Sequence, residues 1–263
     1  MVLAMTVQVL ASVMHVPAGG AGAVARKMNL KSSAVVVNQC DRLDYEETQV
    51  CGEKIQLFSF PDRGVGRSRN EAILRAEGDI CLFSDADIVY ESDYPEKIRK
   101  EFHGNPKADM ILFQIEVEEA RKTYEITARR RVRWYNCGRY GAVSFAVRRE
   151  SLLACGVTFS LLFGGGARYS NGEDSLFLQD FLKKGRRIYT APVTIGREEP
   201  GESSWFEGCH RKFFVDRGVL YRFLYGKLAA AMALRFLLAH RGKLCREVGI
   251  AQAFAWMREG WSS

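Results

Sequence analysis

The 263 residues suffice to bury a large core, and roughly 100 to 200 residues per domain allows one large domain or one with an appendage. Hydrophobic residues at 47% and charged residues at 26% exclude a disordered or fibrous chain. The 38 Lys and Arg against 31 Asp and Glu leave +7, a balance suited to nucleic acid, anionic lipid or a phosphorylated substrate, without choosing among them. Seven cysteines (Cys40, Cys51, Cys81, Cys137, Cys155, Cys209, Cys245) form no C-x-x-C pair, and several lie in apolar runs; the expectation is reduced thiols in a cytosolic protein.

The apolar start, Met1 to Met14, has no Lys or Arg before Arg26, so it lacks the positive region of a signal peptide and reads as a buried first strand. Val7 to Met14 is that strand, ending at Pro17 and the glycines Gly19, Gly20 and Gly22. A short helix around 24–29 leads to a second strand, Ala34 to Val37, with Asn38, Gln39, Cys40 and Asp41 at its carboxyl end. Ile55 to Phe60 makes a third strand, closed by Pro61; Gly64 to Gly66 then opens a helix over Ser68 to Ala76. A fourth strand, Ile80 to Phe83, breaks into Ser84, Asp85, Ala86 and Asp87. Strands alternating with helices predict a mainly parallel sheet with helices on both faces, and such sheets bind ligands beyond the carboxyl ends of their strands. In extended backbone, residues i and i+2 share a side, so Asp85 and Asp87 aim two carboxylates at one volume. Oxygen donors of this kind suit Mg²⁺ or Mn²⁺ completed by substrate phosphates; a plain polar turn is the competing reading.

Asp93 to Phe102 reads as a helix with Pro95 in its first turn, and Ala108 to Val117 as a strand. The basic run Arg129, Arg130, Arg131 and Arg133 is a solvated connector or a lure for an anionic acceptor or lipid headgroups. Gly141 to Val147 reads as a strand, Arg149 to Ala154 as a helix stopped by Gly156, and Gly164 to Gly166 as a mobile loop. In Ser170 to Leu182, Ser170 and Glu173 match the S-x-x-E capping box. Asp174 needs no part in a cap and stands beside a loop able to close on a ligand, where it could take a proton from a hydroxyl.

NQCD at 38–41, GVGRSRNEAI at 64–73, GDICLFSDAD at 78–87 and NGEDSLFLQDFLKKG at 171–185, in that order, resemble a family 2 glycosyltransferase of the GT-A fold. The likeness covers about residues 5–200. It implies an α/β, Rossmann-like catalytic domain over 1–200, its nucleotide-sugar half at about 1–105 and its acceptor half at about 106–200, and inverting transfer from a nucleotide diphosphate sugar, UDP-sugar favoured, to a glycan or lipid-linked hydroxyl. Carried over residue by residue, it implies Asp41, Arg67, Arg69, Asn70, Ser84, Asp85 and Ala86 around the donor. Asp87 and Asp85 fall on the metal motif for Mn²⁺ or Mg²⁺, with Asp87 the direct ligand, and His210 is a further candidate. Asp174 falls on the base with Glu173 beside it, and Gly165, Gly172, Glu173 and Trp205 lie toward the acceptor. The Ala- and Gly-rich loop after the first strand departs from the family pattern.

Residues 201–263 read as a helical extension with ten Lys and Arg against five Asp and Glu. Its apolar run, Leu228 to Ala239, is broken by Arg235 and falls short of the ~20 residues of a spanning helix. It packs on the catalytic domain or lies on an anionic membrane, which places the protein in the cytoplasm or at the inner membrane face. Three rivals remain. DADIV also fits the D-x-D-x-[TV] nucleophile of haloacid-dehalogenase-like phosphatases, although that motif follows the first strand; a sugar nucleotidyltransferase would share the sheet; a nucleic-acid module lacks any recognition signature.

Overall fold

The computed structural model describes residues 5–119, 122, 124–200, 210–244 and 248–261. In chain order the elements are β1 (Val7–Met14), α1 (Ala21–Lys27), β2 (Ser33–Gln39), β3 (Asp44–Val50), β4 (Glu53–Phe60), α2 (Val65–Leu74), β5 (Ile80–Asp85), β6 (Ile88–Tyr90), α3 (Tyr94–Gly104) and β7 (Met110–Glu116). There follow β8 (Phe145–Arg148), α4 (Arg149–Cys155), α5 (Glu173–Lys183), β9 (Ile188–Glu198), α6 (Arg211–Tyr225), α7 (Ala229–Ala239), α8 (Arg241–Leu244) and α9 (Ile250–Glu259).

The nine strands make one sheet in the order β3-β4-β2-β1-β5-β8-β7-β9-β6. The run β4-β2-β1-β5 is parallel throughout, as the alternation of strands and helices requires. Beyond β5 the sheet is mixed, because β8 inserts antiparallel between β5 and β7 while β7 and β9 run parallel. Central strands bury both faces, so their residues alternate between two cores rather than between core and water. On one face Val9, Ala11, Ala34, Val36 and Leu82 pack with Ala25 of α1 and Ile98 and Phe102 of α3. On the other, Leu10, Val35, Val37, Cys81 and Phe83 pack under Ala72 of α2 and Phe177 and Phe181 of α5.

Three differences from the sequence reading have physical causes. The edge strand β3, paired antiparallel with β4, is polar and largely exposed, so it lacks an apolar run. β9 contains Pro192, tolerated because the pairing with β7 slips between Ala191 and Thr194, leaving that residue out of the ladder. α5 starts after Gly172, whose φ of +122° is glycine territory, so Ser170 is no cap; its amide and hydroxyl bond the Asp216 carboxylate on α6 at 3.1 Å each.

The C-terminal helices build a further core from Phe213, Phe214, Ala233, Leu237, Ala253 and Met257. α6 also reaches the catalytic half: Leu220 and Leu224 pack with Phe163 and Leu176. No helix among the described residues is long and apolar enough to cross a membrane. Of the described cysteines, Cys40, Cys81, Cys137 and Cys155 are buried free thiols and Cys51 is an exposed one.

Candidate active site

The carboxyl ends of β1, β2, β5 and β7 open onto a cleft of about 850 Å³, lined by Ser12, Gln39, Asp85 and Ile115 from those ends. This is where a doubly wound sheet leaves room for a ligand, because its connections diverge to opposite faces there. Asp85 closes β5 and Asp87 sits in the turn before β6; both line the cleft. Their convergence therefore comes from a turn at 86–87 rather than from extended backbone.

The centre of the site is Arg69 on α2, 3% exposed at its side chain. One end of its guanidinium, Nη2, donates to both oxygens of Asp85 at 3.0 and 3.2 Å. The other, Nη1, donates to Glu173 Oε1 at 3.0 Å and Asp174 Oδ1 at 2.9 Å. A planar fork suits this task, since it serves acids on two elements at once. Burial alone would lower the pKa of Arg69, but Asp85, Asp174 and Glu173 outweigh burial and raise it, so its charge is secure.

Local packing holds the fork in place. Gly66 lets α2 approach the Ser160 backbone so closely that a Cβ there would lie 2.3 Å from the Ser160 carbonyl oxygen. Asn70 clamps the same loop, its amide donating to the Phe159 carbonyl at 2.9 Å and its oxygen accepting from the Phe159 amide at 2.7 Å. The Phe159 ring stacks on Phe177 of α5 at 4.2 Å and lies 5.2 Å from the Arg69 guanidinium carbon. α2 and α5 are thereby locked together through the loop between them.

Asp174 is 24% exposed at its side chain and faces the cleft from the first turn of α5. Burial, then the adjacent Glu173, push its carboxyl up to about 8; Arg69 and the Ala142 amide pull down, and Asp85 pushes up. The helix dipole, which favours a charged carboxylate in a first turn, is overcome by desolvation. Glu173 is more enclosed, accepting the Gly172 amide at 3.1 Å besides Arg69.

The cleft gathers Arg69, Asp85, Ala86, Asp87, Gly165, Gly172, Glu173 and Asp174. It does not gather the rest of the expected set. Asp41 points to solvent, 89% exposed, in an ion pair with Arg63 at 2.7 Å, and Gln39 takes its place on the lining. Arg67 pairs with Asp62 and lines a separate hollow of about 200 Å³. Asn70 is occupied with Phe159. Ser84 is buried, its hydroxyl donating to the Asp85 carbonyl at 3.3 Å. His210 precedes α6, away from the lining, and Trp205 lies outside the described residues. The sequence reading missed Lys27, Tyr124, Tyr140 and Arg217, which come from four separate stretches. Arg217 is the least legible, since α6 carries it in from the tail and holds it between the rings of Phe213 and Phe236 at 5.1 and 4.9 Å.

Both Asp85 oxygens are held by Arg69, so of the two expected metal carboxylates Asp87 is the donor that fits a hard divalent cation, one that takes one or two protein oxygens and fills its remaining positions from phosphate and water. No group of three metal-binding side chains occurs among the described residues.

Fold and site together define the class: the protein is a glycosyltransferase of the GT-A fold. The model described as glycosyl transferase family 2 matches residues 35–159. No curated protein sequence matches the chain. Among solved structures it is similar to residues 1–349 of S. aureus TarS in complex with UDP-GlcNAc, with a TM-score of 0.63 and 14% identity, covering 92% of this chain and 74% of that one. The same TarS fragment without ligand gives 0.61 at 14% identity, covering 97% and 79%. Its complex with UDP gives 0.60 at 14% identity, covering 90% and 72%.

Proposed function

We propose that the protein is an inverting glycosyltransferase that moves a sugar from a nucleotide diphosphate sugar, a UDP-sugar in the first instance, to a hydroxyl of a glycan or lipid-linked acceptor. The observation that carries this reading is the Arg69 fork, which joins the carboxylate closing β5 to the acidic pair opening α5 inside one cleft. A phosphatase needs its first Asp exposed as a nucleophile, whereas Asp85 is gripped by a guanidinium on both oxygens. The UDP and UDP-GlcNAc complexes of TarS, on the same fold, favour UDP as the nucleotide.

In this mechanism Asp174 accepts the proton of the acceptor hydroxyl as that oxygen attacks the anomeric carbon opposite the diphosphate. A base of elevated pKa suits the task, because proton-transfer driving force rises with basicity. Arg69 keeps Asp174 oriented and supplies fixed positive charge near the departing diphosphate without reorganising, and Arg217 adds another cation at the cleft. Asp87 would hold Mn²⁺ or Mg²⁺, which when bound supplies Lewis-acid neutralisation of the diphosphate, while Asp85 stays paired with Arg69. Glu173 fixes Arg69 and the Gly172 amide, while Gly165 and Gly172 leave room on the acceptor side. Residues 201–263 are proposed as an extension that completes the catalytic unit through α6, in a protein working in the cytoplasm or at the inner membrane face.

The test is release of nucleoside diphosphate from a panel of UDP- and GDP-sugars with and without Mn²⁺. Metal-dependent release of UDP is expected. Phosphate release from small phosphoesters without a sugar nucleotide would replace this reading with the phosphatase.

A further inference from the structure

α7 carries more apolar surface than its fold uses. Ala229, Ala233 and Leu237 face inward and join the core with Phe214, Ala253 and Met257. Around the cylinder from them, Leu228, just before the helix, and Leu234 and Leu238 within it are 52%, 44% and 51% exposed. These leucines form a stripe that makes no contribution to the interior. Arg235, on the same side, donates to the Tyr135 carbonyl at 3.0 Å and so ties α7 to the segment holding Trp134 and Tyr135, 45% and 48% exposed. The Trp134 ring also meets Tyr225, the last residue of α6, at 6.3 Å.

The two stretches of sequence that carry this surface are basic. Residues 126–149 contain seven Lys and Arg and no Asp or Glu; residues 217–246 contain seven and none as well. Lys227 and Arg241 flank the two ends of the leucine stripe, both exposed. A short helix with an apolar stripe, basic residues and neighbouring Trp and Tyr is the composition that lies in the interface of a negatively charged bilayer, where each cation near the surface contributes about 1 kcal/mol.

We propose that α7 and the 133–135 segment form one surface that docks the protein on an anionic phospholipid bilayer. Its place matters for catalysis. The backbone turn that presents Trp134 is closed by the Cys137 amide donating to the Arg133 carbonyl at 3.1 Å, and it runs directly into Gly138, Arg139 and Tyr140 on the cleft wall. Ser175, next to Asp174, donates to the Gly138 carbonyl at 3.4 Å. The docked face and the acceptor side of the cleft are therefore two ends of one short segment, which suits an acceptor anchored in lipid. That last point rests on the proposed transferase reading; the docking itself rests on the surface.

Sedimentation with vesicles of phosphatidylcholine containing phosphatidylglycerol, against phosphatidylcholine alone, tests it. The full chain is expected to bind the anionic vesicles, to bind the neutral ones far less, and to be released by salt. The double substitution Leu234→Glu with Leu238→Glu and, separately, Lys227→Glu with Arg241→Glu should each lower partitioning about tenfold or more. Both should leave thermal unfolding and nucleoside diphosphate release in solution unchanged. Absence of binding to anionic vesicles at low salt would overturn the proposal, as would binding indifferent to both pairs of substitutions. Loss of a dimer in the leucine variant, with no vesicle binding by the parent, would instead assign this face to a second copy of the chain. A protein that docks but releases no nucleoside diphosphate would refute the transferase reading and leave the docking intact.

Discussion

At the residue scale the site is an electrostatic problem solved by one side chain. Three carboxylates from two elements meet at Arg69, and the cluster holds together because the fork gives each acid a directed hydrogen bond. Arg69→Met leaves those acids without their shared cation and is expected to cost on the order of 3 kcal/mol, measured by denaturant unfolding at neutral pH. Arg69→Lys restores the charge but not the fork, so it should recover part of that stability while transfer stays depressed. Asp174, raised to about 8, is protonated in much of the free enzyme at pH 7. Because the base form is needed, kcat/KM should climb as pH rises toward 8 and level off above it, and Asp174→Asn should abolish that limb. The stability sign runs the other way. Asp174 is uncharged in both states below pH ~4, while between ~4 and 8 only the unfolded chain readily gives up the proton, so its stabilising contribution declines as pH rises across that window. Asp174→Asn should accordingly flatten part of the fall in melting temperature over that range.

At the scale of elements, the fold puts glycines where packing leaves no room for a side chain. Gly172 combines a φ of +122° with a would-be Cβ only 2.6 Å from the methyls of Leu220. Gly172→Ala is expected to destabilise by about 1–3 kcal/mol and to move the start of α5, lowering kcat more than it raises the KM for donor; steady-state kinetics beside thermal unfolding checks both. This junction also marks a limit of sequence reading. Ser170 and Glu173 carry the spacing of a capping box, yet Ser170 is drawn to Asp216, a partner 46 residues away that local spacing cannot register. β1 was legible to the residue, because a central strand is one unbroken apolar run bounded by turn residues. β9 was not, since its proline sits at a register slip visible only when β7 lies beside it.

At the scale of the whole molecule, the parallel half of the sheet and the location of the cleft followed from the alternation of strands and helices. The identity of the lining did not follow as well. Asp85 and Asp174 were legible as short motifs, but the link between them joins Arg69 to residues 16 and 105 positions away, and only the packing of α2 against α5 creates it. The same holds for Asp41 and Gln39: motif position favoured the acid, while the sheet register turns Gln39 to the cleft and leaves Asp41 outside. The tail, whose charge was plain in the sequence, contributes Arg217 and Leu220 to the cleft and a cationic, leucine-striped face beside it.

The central claim is that the acid closing β5 and the acid opening α5 serve one reaction from two sides of Arg69. Calorimetric titration of the reactive UDP-sugar with Mn²⁺, run beside transfer kinetics on wild type, Asp87→Ala and Asp174→Asn, tests it most directly. The account predicts that Asp174→Asn binds donor as wild type does while transfer falls about 10²- to 10⁴-fold, and that Asp87→Ala loses the metal-dependent part of donor binding. Transfer by Asp174→Asn at the wild-type rate, or metal-dependent donor binding untouched in Asp87→Ala, would contradict it.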